Sequence, residues 1–593
     1  MRRGARRGRL LGFGLFLGWL GLLVKLVDVQ IVKWRHYQER ARGQHWTRVE
    51  LLGERGRIYD RKGRCLALNQ SCCAIHILPQ YVRDKDTLAE ILADFELGTK
   101  PENRLLLERS KGFFPFRQRV DFATGDSLRK VLTKRRFINA VLVQDAFGRV
   151  YPYGEVCADV VGFVGADQIG RAGLEWEFDS VLRGSPGWVY LQKDALGWTF
   201  PYPSYPMKKA LPGADIYLTI DADMQMICYS ALKEGVEQSG AKRGSAVVLD
   251  GKTGAILAIV DYPGYNPERF KEFPPERYKL AALADQFEPG SSFKIVLCAA
   301  ALEDSAPERF TERWYDVSSG FIEIGNKKIK DVHPNGVLTF DSVFIQSSNP
   351  ACALMSFEVS PEVYYAIARR LGFGERVGVG LPEEGPGRLD NPRQLKNRLR
   401  FATISFGQGV MVTLLQLAAA YLCVANDGVY LKPFLIQSLK MNNTTALLNK
   451  KTVVREALAK KTAARMKDIL ERVVLNGTGK LAAIPGVSVC GKTGTAQKVE
   501  PGGGYSSTRS IMTFVGFFPK DEPRFVIAVL LDEPTRFRFA GSAAAPVFRE
   551  IGERLMRLEE TIVRFDGDKS HLCLRQAAQP VQARSDGAMY VRR

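Results

Sequence analysis

The stretch Phe287-Glu-Pro-Gly-Ser-Ser-Phe-Lys-Ile-Val-Leu-Cys-Ala-Ala-Ala-Leu302 carries a fold signal and a chemical signal together. Glu288-Pro-Gly290 is a helix-start signal, and the apolar run after it reads as a buried helix over 291–302. Positions i and i+3 share a helix face, so Ser291 and Lys294 are expected to meet, while Ser292 points elsewhere. A serine beside a lysine is a nucleophile with its activating base. Two further clusters follow in order, Ser347-Ser-Asn349 and Lys492-Thr-Gly494. They add a second hydroxyl with an amide and a second lysine, a working set for serine acyl transfer in which lysine replaces histidine. The chain holds only five histidines. Lys294 is a base only when neutral; a helix N-terminus and a nearby second lysine both disfavour its charge.

Strand signals flank this region. Residues 246–250 and 255–260 read as a hairpin across Gly251-Lys-Thr-Gly254, and 511–518 with 524–531 as another across Pro519-Lys-Asp-Glu-Pro523. Residues 487–490 lead into the third cluster, which sits on a strand where Gly494 leaves room for a substrate backbone. Helices are expected at 363–371, 414–426 and 463–474, and an amphipathic segment at 544–558 closes the domain. Strands at both ends with helices between predict an α+β domain, an antiparallel sheet flanked by helices. The short patterns recur: Ser127-Leu-Arg-Lys130 repeats S-x-x-K, and Lys252-Thr-Gly254 repeats K-T-G. The first falls in a half without other catalytic groups and the second is a hairpin turn, so both read as structural.

The remaining chain sets the context. At 593 residues, 46% hydrophobic, it is long enough for two or three domains. The formal charge of +20 is spread along the chain with no zinc-finger or RNA-binding signature, which argues against nucleic acid as a partner. Five arginines (Arg2, Arg3, Arg6, Arg7, Arg9) precede an apolar run from Leu10 to Val24 that resumes at 26–32 around Lys25 and Asp28. The alternatives are a cleaved signal peptide and a retained anchor; no small-x-small cleavage site follows, so the run reads as the anchor, with its N-terminal side in the cytoplasm. Residues 33–50 read as a juxtamembrane helix. From 51 to 221, short apolar runs alternate with turns, and Gly/Pro-rich segments between 184 and 213 mark the approach to a boundary. The ten cysteines are scattered without a C-x-x-C pair, so neither metal nor cofactor is expected.

The three clusters in this order resemble those of the class B, monofunctional penicillin-binding proteins, the cell-wall transpeptidases. The resemblance extends to Arg55-Gly-Arg-Ile-Tyr-Asp-Arg-Lys-Gly63, Arg149-Val-Tyr-Pro152, Gly173-Leu-Glu175 and Leu218-Thr-Ile-Asp221. It continues through Phe406-Gly-Gln-Gly409, Thr413 with Gln416, and Pro546-Val-Phe548. With the readings above it implies a basic cytoplasmic tail (1–9), a transmembrane anchor (10–32), a pedestal or dimerisation-type domain (33–221) and a transpeptidase domain (222–560); the polar tail (561–593), with no counterpart in that family, reads as disordered. The implied reaction is D,D-transpeptidation of peptidoglycan stem peptides ending in D-Ala-D-Ala, with β-lactams acylating the same serine. Catalysis would fall to Ser291, Lys294, Ser347 and Lys492, and substrate binding to Asn349, Thr493, Gly494 and Thr495. The implied setting is the cytoplasmic membrane, with an extracytoplasmic catalytic domain, division proteins and a separate glycan polymerase.

Ile329-Lys-Asp-Val332, Ser405-Phe-Gly407 and Lys492-Thr-Gly-Thr-Ala-Gln497 look more like the division-septum enzyme than the rod-elongation one. Residues 279–285 depart from the arginine-rich form common in septal enzymes. The alternatives carried from the sequence are an elongation-type transpeptidase, a D,D-carboxypeptidase or β-lactamase-like hydrolase, and a non-enzymatic scaffold of the division machinery.

Overall fold

The computed structural model describes residues 2–38, 46–51, 53–110, 112, 114–193, 199–201, 207–441, 444–500 and 502–577, in two compact units. One unit comprises 1–56 and 180–214. It opens with helix Arg2–Val27, extended by a wider π turn over Asp28–Val32. Gly12–Val32 is a 21-residue apolar stretch of mean hydropathy 1.9, about 31 Å long at 1.5 Å per residue and so long enough to cross a bilayer. The charges inside it are paired: Asp28 takes Lys25 at 3.2 Å and Lys33 at 2.9 Å.

The expected juxtamembrane helix is corrected over its second half. Trp46–Leu51 is a strand, paired antiparallel with Gly187–Lys193, which also carries Thr199–Pro201 and Met207–Lys208. Thr47, Val49 and Leu51 alternate with Arg48 and Glu50, a period of two that suits a strand and not a helix. Residues 39–45 lie outside the described residues.

The second unit (57–179 and 215–593) holds everything else. Its N-terminal part is built on the long strand Cys65–Ile77, flanked by Phe114–Asp121 and Val141–Val150. Helices Lys85–Asp94, Lys100–Arg109 and Phe122–Lys134 bury Leu88, Leu92, Leu107 and Leu128 with Ile75 and Ile77. The same sheet continues through Ile58–Tyr59 and Asp215–Leu218 to Ile436–Met441 and Thr444–Leu448. It thus draws strands from both sides of the expected 221/222 boundary.

Two of the quoted landmarks meet at one ionic cluster. Arg64 binds Asp60 at 2.8 Å, Asp223 at 2.6 Å and Asp221 at 3.0 Å, and Asp60 also accepts from Ala222 N at 3.2 Å. Asp60 and Asp221 are buried, and Asp221 is also paired with Lys62 at 2.9 Å.

The catalytic-half sheet has five antiparallel strands: β1 (Arg243–Asp250), β2 (Ile256–Tyr262), β3 (Cys490–Val499), β4 (Tyr505–Phe518) and β5 (Phe525–Asp532). Their spatial order is β2-β1-β5-β4-β3, so the two predicted hairpins, distant in sequence, form one sheet with β3 at an edge. Helix α1 (Ala222–Ser239) and the closing helix α5 (Ala540–Ala577) pack Leu232, Val236, Phe548, Ile551 and Leu555 against Val248, Phe514 and Ile527. Towards the site lie α2 (Lys294–Leu302), α3 (Asn349–Ser356) and α4 (Leu414–Ala425). Every residue of α4 is buried, and its Thr413–Gln416 landmark is a capping box: Gln416 N donates to Thr413 Oγ1 at 3.2 Å and Thr413 N to Gln416 Oε1 at 2.9 Å. The closing helix exceeds the expected 544–558 at both ends and reaches Ala577, inside the segment expected to be disordered; 578–593 lie outside the described residues.

Both repeat patterns lie on the surface. Ser127 and Lys130 are exposed on a helix where Lys130 pairs with Asp126 at 2.7 Å, and Lys252 is exposed in the β1–β2 turn.

Candidate active site

Ser291 lies on a single 3₁₀ turn, Gly290–Phe293, and α2 begins only at Lys294. The turn is held from three directions. Tyr421 of α4 donates its hydroxyl to Ser292 O at 3.0 Å, Gly290 N donates to Gly407 O at 3.1 Å, and Ser292 Oγ donates to Pro289 O at 2.8 Å. Ser292 is fully buried, whereas Ser291 is partly exposed. The distinction drawn between the two serines therefore matches the burial.

Three glycines allow the backbones to close up. Gly290 has φ +56°, and a Cβ there would lie 2.6 Å from Thr495 O. One on Gly407 would run into Gly290 O, and one on Gly494 would lie 2.5 Å from Pro289 O and 2.8 Å from Ser292 Oγ. On the side where Gly494 would carry a Cβ, the space is taken by the Ser291 turn. These contacts set Ser291 against β3.

The three clusters converge on Ser347. Its Oγ is 3.2 Å from Lys294 Nζ and 2.9 Å from Lys492 Nζ, so one hydroxyl bridges two amines. Lys294 also donates to Ser347 O at 2.6 Å and Asn349 Oδ1 at 2.9 Å. Lys492 reaches Thr493 O at 3.2 Å and Thr493 Oγ1 at 3.3 Å. Both lysines are 1% exposed. Burial pushes the Lys294 amine below the ordinary 10.5, and burial reinforced by the neighbouring Lys294 charge pushes Lys492 well below it.

Ser291 and Lys294, expected to meet on one helix face, share no hydrogen bond in the structure. The Ser291 hydroxyl has no hydrogen-bond partner among the described residues, because the Lys294 amine is drawn to Ser347 and Asn349. Catalytic hydrogen bonds commonly tighten only when substrate is bound.

Asn349 turns its carbonyl oxygen to Lys294, and its NH₂ has no hydrogen-bond partner among the described residues. Thr493 Oγ1 is buried against Thr478 Oγ1 at 2.7 Å, and Thr495 Oγ1 accepts from Ala540 N at 3.2 Å. Thr478, in the turn after helix Lys460–Leu475, was missed in the sequence; an Asn-Gly-Thr-Gly turn carries no chemical signature.

Asp331 was also missed as a site residue. Its carboxylate accepts from Ser348 Oγ at 2.6 Å, Asn349 N at 2.7 Å and Asn335 Nδ2 at 2.7 Å. Ser347 has φ +61°, a left-handed conformation costing about 1–3 kcal/mol in a residue with a side chain. Asp331 grips the two residues that follow and holds Ser347 in that conformation. Asp331→Ala is expected to slow acylation by a reporter β-lactam about tenfold or more, with Asp331→Asn intermediate. An alanine variant acylated at the parental rate would exclude this role.

A serine turn, a hydroxyl shared by two buried lysines and an edge strand closing over them are the parts of the penicillin-binding transpeptidases, and the chain belongs to that family. The Penicillin binding protein transpeptidase domain matches residues 244–553, and the Penicillin-binding Protein dimerisation domain matches 50–218, the class B pairing. The chain is 30% identical to the peptidoglycan D,D-transpeptidase FtsI homolog of Mesostigma viride, over 92% of this chain and 94% of that one. It is 31% identical to the probable peptidoglycan D,D-transpeptidase PenA of Neisseria meningitidis, over 90% and 89%. Penicillin binding protein 3 of Mycobacterium tuberculosis, solved with aztreonam, superposes with TM-score 0.67 at 29% identity, over 86% of this chain and 97% of that one. The resemblance read from the sequence holds for family and fold.

Proposed function

We propose that this chain is a membrane-anchored peptidoglycan D,D-transpeptidase that serves the division septum. The observation that carries the chemistry is the Ser347 hydroxyl bridging two buried amines beside the free hydroxyl of Ser291. Ser291 Oγ attacks the penultimate D-Ala carbonyl of a stem peptide as its proton passes to neutral Lys294. Backbone N–H groups of Ser291 and Thr495 receive the developing oxyanion, each worth about 3 kcal/mol in the transition state. The proton moves through Ser347, supported by Lys492, to the amine of the departing D-Ala. Asn349 donates to the substrate backbone, and Thr493 with Thr495 receives the terminal carboxylate. An amine from a neighbouring stem then takes the acyl group and regenerates Ser291.

The apolar N-terminal helix and its leading arginines support one pass through the cytoplasmic membrane, N-terminus inside, with the catalytic unit outside. The partners in this reading are stem peptides, β-lactams, division proteins and a separate glycan polymerase.

The test is product analysis with the full-length chain in detergent, supplied with a D-Ala-D-Ala-terminated donor and an amine acceptor. Cross-linked dimer with release of D-Ala is expected. Free D-Ala with hydrolysed donor alone would make the chain a carboxypeptidase, and no turnover would leave the scaffold. Depletion in the source organism is expected to give filaments; rounded cells would move the role to elongation.

A further inference from the structure

Glu288 stands three residues before Ser291 and belongs to none of the three clusters. Its Oε1 accepts from Gly409 N at 2.8 Å and from Tyr505 OH at 3.3 Å. Its Oε2 is buried and has no hydrogen-bond partner among the described residues. These contacts join three pieces of chain far apart in sequence. Glu288 lies on the strap that presents Ser291, and Phe287 is bonded to Val412 in both directions at 2.9 Å. Gly409 ends the Phe406–Gly409 turn, whose Gly407 O receives Gly290 N. Tyr505 opens β4 and pairs with Val499 of β3, the strand that carries Lys492 and Thr495.

A charged carboxylate with one oxygen buried and unpaired costs free energy that a protonated carboxyl largely escapes. The polar groups facing Glu288 are the Tyr505 hydroxyl from β4, the Gly409 amide and, more distantly, the Arg388 guanidinium. Burial holds the carboxyl above the ordinary 4.5, outweighing the Gly409 amide, the Tyr505 hydroxyl and Arg388, all of which favour the charged form. Burial, with Glu288 beside it, pushes the Tyr505 hydroxyl up to about 12, so Tyr505 remains a donor throughout the working range.

We propose that Glu288 is a positioning residue for Ser291, a carboxyl that ties the turn bearing Ser291 to the Phe406–Gly409 turn and to the Tyr505 end of the β3–β4 hairpin. It touches no reacting atom. It acts by holding Ser291 against β3, and it rests on the acyl-transfer reading above. The sign of the pH effect follows. Glu288 is protonated at low pH and ionises as pH rises through its elevated value, which places a charge where Oε2 has no partner and loosens the strap. Glutamine keeps the Oε1 acceptor and cannot ionise, whereas alanine loses both hydrogen bonds.

The experiment measures the second-order rate of acylation by a fluorescent penicillin on the full-length chain in detergent, from about pH 5 to about pH 9. Wild type, Glu288→Gln and Glu288→Ala are compared. The lysine ionisations act on all three alike, so the ratio of the glutamine variant to wild type isolates Glu288. That ratio is expected to climb about threefold or more from the acid to the alkaline end, and the alanine variant to be about tenfold slower than the glutamine variant. A flat ratio, or an alanine variant as fast as wild type, would overturn the proposal. If the alanine variant does not fold, the ratio alone decides. A wild-type chain that is not acylated at Ser291 overturns the transpeptidase reading instead, an outcome separable from either of these.

Discussion

In a Ser291→Ala variant of the full-length chain, covalent labelling by a reporter penicillin falls by about a thousandfold or more, to the level of a heat-denatured control. The size follows from the chemistry, since a methyl group cannot form the acyl ester and no neighbouring group can replace it. Ser292, adjacent in sequence, is fully buried with its hydroxyl committed to Pro289 O at 2.8 Å. The surface repeat at Ser127 is the sharper control, and Ser127→Ala leaves labelling at the parental level because that helix belongs to the N-terminal part of the unit. Mass spectrometry of the labelled peptide checks both. Labelling that persists in Ser291→Ala and disappears in Ser127→Ala would refute the assignment.

Removing either buried lysine has the next largest effect. Lys294→Ala and Lys492→Ala each slow acylation about a hundredfold or more, the range expected when a positioned proton-transfer group is lost. Arginine does not rescue Lys492, because a guanidinium stays charged in a site whose burial disfavours charge and cannot return a proton. The parental enzyme loses rate as pH falls. Both amines are held below the ordinary lysine value of 10.5 by burial, so each is neutral at a pH where a surface lysine is charged, and acidification protonates them. The acid limb of the rate profile therefore lies below the range of a free lysine. A limb at the free-lysine value, or a Lys492→Arg variant as active as the parent, would show that neutral amines are not what the site uses.

The local parts were legible because they rest on short-range rules. A helix start, an i to i+3 spacing and alternating strands placed Ser291, Lys294 and the hairpins near where they occur. The second half of the 33–50 segment was read as a helix from its charge, although the alternation of Thr47, Val49 and Leu51 carried the strand signal. Its partner, Gly187–Lys193, lies more than a hundred residues downstream, and pairing at that separation leaves no local mark. Asp331, Thr478 and Glu288 were passed over for a related reason. Each acts on a residue that only folding brings near, and an isolated aspartate, threonine or glutamate reads as an ordinary polar side chain.

The sequence by itself determined the candidate residues, their order, the α+β class and the membership of a penicillin-binding family, since these depend on residue type and local periodicity. Tertiary structure alone decided which groups touch. It bonded Lys294 to Ser347 and Asn349, brought Lys492 to the Ser347 hydroxyl, and packed the Ser291 turn against the Cβ side of Gly494. The physical reason is burial. Amines, carboxylates and glycine contacts acquire their partners and protonation states only when segments distant in sequence exclude water around them.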